Sequence, residues 1–299
     1  MQILIRIYLV LLIIAVFHIN LYTQNMNKLK EEINNIISAT GGTAAVVFIN
    51  PANSDQQLMI NAGETFHAAS TMKVAVMTAV FTMIEERKLK LTDSIRVVNS
   101  FRSIVDSSSF SLDIREDSGD KLYSELGKNV TVERLLNEMI TVSGNLATNL
   151  LIELVSADYI EALMNSHGIR GVNVLRGVED IRAFEAGLNN TVTAGGLADL
   201  FLKLDSGEFC SAELSKKMID ILLSQKFNSM IPKYLPEGVK VAHKTGSITA
   251  IMHDAGIVYL PDGRKYILVI LNKGFVDAAA IKERSAQISK SVYHHFTGE

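Results

Sequence analysis

Apolar residues recur along this chain with two periods, and the switches between them mark its elements. Met26 to Ile37 shows helical spacing with charges between the apolar positions, which predicts a helix. Thr43 to Asn50 is almost continuously apolar and predicts a strand. Pro51 to Gln56 supplies a turn, and Gln57 to Ile60 pairs back as a hairpin. Ser70 opens a long helix, Thr71 to Lys88, whose middle (Val74, Ala75, Val76, Met77, Ala79, Val80) is apolar nearly all round, as in a helix buried at the centre of a protein. Asn99 to Gly127 is polar and reads as an exposed excursion. Helical spacing resumes from Thr131, a capping residue, to Ile140, and again in Leu146–Leu154, Ala157–Ser166, Thr193–Leu204 and Ala212–Ser224. Arg176 to Asn190 reads as a loop with helical fragments. Two β-rich runs, Ile257–Leu260 and Tyr266–Leu271, are joined by the turn Pro261-Asp262-Gly263, and Asp277–Phe296 closes the chain as a helix.

This order predicts an α+β fold: one antiparallel sheet built from both ends of the chain, flanked by the N- and C-terminal helices, with an all-helical lobe inserted. The α/β lobe is expected at about 25–65 and 225–299, and the helical lobe at about 66–224. Residues 1–24 stand apart. Arg6 precedes the apolar run Ile7 to Phe17, which is short for a bilayer span but normal for a signal-peptide core. The segment is read as a signal peptide or an uncleaved N-terminal anchor, and in both cases the rest of the chain is exported, to a periplasmic or other extracytoplasmic space.

Composition narrows the function. The 299 residues carry a net charge of −3, and Lys and Arg form no basic stripe, which argues against a nucleic-acid partner. One cysteine, Cys210, excludes an intramolecular disulfide and reads as a small packing residue. No metal-ligand spacing occurs, and no metal or organic cofactor is implied. A monomer is expected.

The candidate chemistry lies in three ordered segments: Ser70-Thr71-Met72-Lys73, Ser143-Gly144-Asn145 and Lys244-Thr245-Gly246. A second Ser–x–x–Lys, Ser118 to Lys121, falls in the polar excursion. A serine hydroxyl needs a base within hydrogen-bond reach. Ser70 and Lys73 share a helix face, and burial on an apolar helix disfavours the ammonium, so Lys73 is a plausible proton acceptor. Ser143 and Asn145 sit at a helix start, Ser143 as a proton shuttle and Asn145 as a donor to a substrate amide. Lys244 and Thr245 lie on an expected edge strand and can grip a carboxylate. Gly246 lets substrate approach the backbone, and the N–H groups of Ser247 and Ser70 can form an oxyanion hole.

These motifs resemble the serine β-lactamase and penicillin-binding transpeptidase superfamily, and class A β-lactamases most of all, over nearly all of the chain after residue 24. The resemblance implies an α/β lobe and a helical lobe with the active site between them, with Ser70 acylated and Lys73 its base partner. Gly144 stands where the family usually has Asp. In the Arg176–Asn190 loop, Glu185-Ala186-Gly187-Leu188-Asn189 matches the family's Glu-x-x-Leu-Asn, which implies Glu185 as the activator of the deacylating water and Asn189 as its partner. Ala183 replaces the family's Arg, and no Asp closes the loop. Glu179, near Arg176, is the second candidate for the carboxylate. The function expected is hydrolysis of β-lactams. The alternatives are a D-alanyl-D-alanine carboxypeptidase or transpeptidase acting on peptidoglycan-like peptides, a slowly deacylating penicillin sensor, and a general esterase.

Overall fold

A computed structural model of the protein describes residues 24–53 and 55–299. The expected targeting segment, apart from Gln24, lies outside the described residues. The chain begins with helix α1 (24–38) and the hairpin β1 (Thr43–Ile49) and β2 (Gln57–Ile60). The short strand β3 (Phe66–His67) and a 3-10 turn at Ala69–Met72 lead into α2 (Lys73–Glu85). The middle of the chain holds four short strands, β4 (Ser94–Arg96), β5 (Phe101–Arg102), β6 (Ser109–Phe110) and β7 (Asn129–Thr131). Helices α3 (Val132–Thr141), α4 (Asn145–Val155) and α5 (Ala157–Ser166) follow. Next come β8 (Val172–Asn173), α6 (Ile181–Glu185), β9 (Thr191–Val192), α7 (Ala194–Ser206) and α8 (Ala212–Leu223). Three long strands, β10 (Lys240–Ile248), β11 (Ile251–Tyr259) and β12 (Lys265–Lys273), and helix α9 (Ala278–Thr297) complete the fold.

The expected α+β architecture is present. The five-stranded sheet has the order β10-β11-β12-β1-β2, antiparallel throughout, so strands from both ends of the chain meet at the β12–β1 pair. Side chains alternate between two cores, as the period of a strand requires. On β1, Ala45, Val47 and Ile49 join the helical block, while Val46 and Phe48 pack with Leu29, Ile33, Ile288 and Val292 of α1 and α9. Tyr266, Leu268 and Ile270 of β12 face the second core, and Ile267, Val269 and Leu271 the first. Burial on both faces explains why these strands read as unbroken apolar runs.

Helix α2 is buried from Lys73 to Thr82, and its all-round apolar surface is met by α4, α5 and α8. The expected single helix from Thr71 therefore begins as a 3-10 turn, which sets Ser70 one turn before Lys73. Two other expectations change. Strand β11 starts at Ile251 rather than Ile257, because the buried polar pair His253 and Asp254 interrupts its apolar pattern. The 99–127 excursion is only partly exposed: Phe101, Ser103, Leu112, Asp117 and Leu122 are buried in it.

Candidate active site

Three elements meet at Ser70. Gly246 on edge strand β10 passes the nucleophile turn so closely that a Cβ there would lie 2.9 Å from the Ser70 nitrogen and 3.1 Å from that of Thr71. Only glycine permits this approach, which brings the Lys244–Ser247 segment alongside the start of α2. The third element is the Ser143–Asn145 turn before α4, where Ser143 adopts a left-handed φ of 62°.

The lysines converge on Ser143. Lys73 Nζ donates to Ser143 O at 2.6 Å, to Ser143 Oγ at 3.3 Å and to Asn145 Oδ1 at 2.9 Å. Lys244 Nζ donates to the same Oγ at 3.0 Å and to Thr245 O at 2.9 Å. Both lysines are fully buried. Burial lowers Lys73 to about 7, against the opposing pull of Asp117 and Glu179. Lys244 is pushed well below its ordinary value, first by burial and then by the nearby Lys73. Two donors into Ser143 Oγ occupy its lone pairs, so its own proton is directed elsewhere. That geometry suits a hydroxyl that hands a proton to a third group.

Helix α4 begins at Gly144 with no capping side chain of its own. Its first N–H groups donate instead to Asp117: Asn145 N to Oδ1 at 2.8 Å and Leu146 N to Oδ2 at 2.9 Å. The same carboxylate accepts from Gly119 N and Tyr123 Oη. Gly144 packs on Gly119, where a Cβ would sit 2.6 Å from the Gly144 Cα. Asp117 thus supplies from a neighbouring loop the carboxylate that position 144 lacks, and it fixes the turn that presents Ser143. Sequence reading missed it, since its partners lie 28 and 29 residues away.

The Arg176–Asn190 loop places Glu179, not Glu185, at the site. Glu179 Oε1 accepts from Asn145 Nδ2 at 2.9 Å, and Oε2 accepts from Asp113 N at 3.3 Å. Asn145 therefore links Lys73 to Glu179 through its two amide atoms. Burial raises the Glu179 carboxyl above the usual carboxylate range, and Asp117 and Glu116 push the same way, against the hydrogen bonds from Asn145 and Asp113. The residue is held in place from both sides. Asn149 clasps the Val178 backbone with both amide atoms, at 2.7 and 3.0 Å. Asp180 is buried, accepts from Ser103 Oγ and Ile104 N, and caps α6 through Ala183 N. Glu179 itself has a φ of 63°, the strained turn that aims its carboxylate inward.

Glu185, at the far end of α6, is exposed and lines neither cavity at Ser70, because α6 turns Ala183 inward and leaves its last residue in solvent. Asn189 also faces away: its Oδ1 accepts from Arg176 Nη2 at 3.0 Å. It is Asn190 that is buried and reaches the cavity, holding Leu175 N, Arg176 N and Arg176 O with its amide. The loop therefore closes without an Arg–Asp ion pair. The Arg176 guanidinium is buried against the carbonyls of Leu188 and Gly177 and against Asn189, and burial lowers its pKa. The sequence signal for Glu179 was available in Asp180, a helix cap three residues before Ala183, which sets the preceding residue at a loop–helix corner.

Ser70 opens onto two cavities. One, of about 260 Å³, is lined by Ser143, Asn145, Thr245 and Ser247. The other, of about 360 Å³, lies under the loop and is lined by His67, Glu179, Phe184 and Ile248.

Comparison with known proteins agrees with this geometry. The family model for the beta-lactamase enzyme family matches residues 28–296. The extended-spectrum beta-lactamase PER-1 of Pseudomonas aeruginosa is 27% identical over 282 residues, covering 89% of this chain and 86% of that protein. A solved beta-lactamase of Sphaerobacter thermophilus DSM 20745 superposes with a TM-score of 0.76 at 26% identity, covering 91% of this chain and 97% of that one. A PBP-A mutant in acyl-enzyme complex with penicillin G superposes with a TM-score of 0.75 at 25% identity, with the same coverage. A family match over almost the whole described chain, on a fold and a Ser–Lys centre reached independently of it, places this protein in the beta-lactamase enzyme family.

Proposed function

We propose that the protein is an exported class A-type serine β-lactamase that hydrolyses β-lactams through an acyl-enzyme on Ser70. The observation that carries this reading is Glu179, a buried carboxylate tied by Asn145 to Lys73 and lining the cavity that opens on Ser70. It gives the site a base for water in addition to the acylation machinery, which a protein that only traps penicillin does not need.

In acylation, Ser70 Oγ attacks the lactam carbonyl carbon while its proton passes to neutral Lys73. The oxyanion is held by the backbone N–H groups of Ser70 and Ser247. Collapse breaks the C–N bond. Ser143 gives its proton to the nitrogen and is reprotonated from the lysines that bond its Oγ. In deacylation, Glu179 takes a proton from water, whose oxygen attacks the acyl carbon. The Ser70–carbonyl bond breaks, and the proton returns to Ser70. Export rests on the sequence of residues 1–24 and is tested by locating activity in cell fractions.

The pH dependence follows from Lys73. The base form is the neutral amine, and its pKa is about 7. Single-turnover acylation by a chromogenic cephalosporin should rise about tenfold per pH unit below that value and level off above it. Acylation independent of pH through neutrality would remove Lys73 as the base.

A further inference from the structure

The turn that carries Ser70 contains a strained residue. Ala69 has a φ of 44°, in the left-handed region that a residue with a Cβ enters only when its surroundings hold it there. The acceptor of its N–H is the ring of His67: Ala69 N donates to His67 Nδ1 at 3.0 Å. A backbone N–H can only donate, so this Nδ1 carries no proton and the ring's hydrogen sits on Nε2. A second histidine is arranged the same way behind it. His253 Nδ1 accepts from Asn272 N at 3.1 Å, and its Nε2 donates to His67 O at 2.9 Å. His67 is therefore held from β11 through its carbonyl and itself holds Ala69 through its ring, while Ala68 N donates to Asn190 O. His253 is buried and lowered to about 4, but His67 is only half-buried, within reach of solvent protons. The charged and titratable groups around His67 are Arg176, Glu179 and Asp180 of the loop, which line the same cavity, His253 of β11, and Lys273 of β12, which donates to Thr65 O and pairs with Glu64. Helix α6 meets it with the ring of Phe184, 6.1 Å away and edge-on.

We propose that His67 is a positioning residue for acylation: its neutral ring holds Ala69 in the left-handed conformation that sets the Ser70 hydroxyl and N–H for attack, and protonation of the ring releases them. The proposal rests on the β-lactamase reading above and adds to it a residue outside the three motifs and outside the proton transfers. A protonated His67 turns an N–H towards the Ala69 N–H, and neither then has an acceptor. The strained φ of Ala69 loses the bond that sustains it. The Ser70 N–H, one of the two donors of the oxyanion hole, loses its fixed place with it. Burial first, and then the Arg176 charge, disfavour the imidazolium, so the ring titrates below its ordinary value of 6.5. The turn is therefore intact above that range and is lost as pH falls through it, in addition to the loss of neutral Lys73.

The test is the acidic limb of single-turnover acylation of the full chain by a chromogenic cephalosporin. Lys73 alone imposes a fall of about tenfold per pH unit. With His67 the fall should steepen below pH 6.5, towards about a hundredfold per unit. His67→Asn keeps an acceptor, because an asparagine oxygen reaches the N–H two residues on, and it does not titrate. Its profile should keep the single, shallower slope. His67→Phe keeps a ring beside Phe184 but loses the acceptor, and at about pH 8 it should acylate roughly 5- to 10-fold more slowly than His67→Asn. Should His67→Phe fail to fold, the slopes of the parent and of His67→Asn decide between them. A parent with a single slope throughout, a steepening that survives in His67→Asn, or a folded His67→Phe that acylates as fast as His67→Asn would each overturn the assignment while leaving the β-lactamase reading intact. A parent that is never acylated would overturn both.

Discussion

Glu179→Gln is expected to turn over one equivalent of benzylpenicillin and then stall as an acyl-enzyme. The argument is geometric. The carboxylate sits behind Asn145, raised above the ordinary carboxylate range by its burial, in the cavity that opens on Ser70. Acylation uses Lys73 and Ser143, which the substitution leaves in place, and glutamine can still accept from Asn145. Deacylation loses its base, and removal of a positioned general base slows a step about 10² to 10⁴-fold. Adduct should therefore form at nearly the parental rate and clear at least a hundred times more slowly. The companion experiment separates the two carboxylates: Glu185→Ala should hydrolyse like the parent, since its side chain stands in solvent outside both cavities. An acyl-enzyme trapped by Glu185→Ala and cleared by Glu179→Gln would reverse the assignment.

The second large effect is on stability. Asp117 is buried and satisfies the N–H groups of Gly119, Asn145 and Leu146 together with the Tyr123 hydroxyl. Asp117→Ala leaves these donors without an acceptor at a helix start that has no cap of its own. Each stranded buried donor costs about 1–3 kcal/mol. With some relaxation and water entry, a loss of about 3–5 kcal/mol is expected in urea unfolding. The same change frees the Ser143 turn, so acylation should fall along with stability. Asp117→Asn keeps one good acceptor oxygen and should lose less of both. A variant as stable as the parent would mean that the α4 start is held by something other than this carboxylate.

How far the sequence could be read depended on whether the signal was local. The apolar period gave the helices and the β1–β2 hairpin, because each buries a face set by residues within one element. It also gave the sheet built from both chain ends, since its strands are apolar on both faces. Strand β11 was half lost because His253 and Asp254 are buried polar residues. His253 is neutral in its place, lowered to about 4 by burial, donating to His67 O and accepting from Asn272 N. Ser70, Lys73 and the Lys244–Ser247 segment were legible as short motifs in order along the chain. The loop was not. The run from Glu185 to Asn189 matches a familiar pattern, yet the chain turns its inward corner six residues earlier, at Glu179, where Asn149 and Asp180 anchor the backbone from other elements. Contacts of that kind join residues 29 to 77 positions apart and leave no periodic trace. Asp117 belongs to the same class, since it caps a distant helix.

The most direct test of the account is an intact-mass time course of the protein with excess benzylpenicillin, run beside Ser70→Ala. The account predicts a single adduct on the parent that appears, clears and returns free enzyme while penicilloate accumulates, with no adduct on the variant. A parental adduct that persists without penicilloate, or an equal adduct on Ser70→Ala, would contradict it.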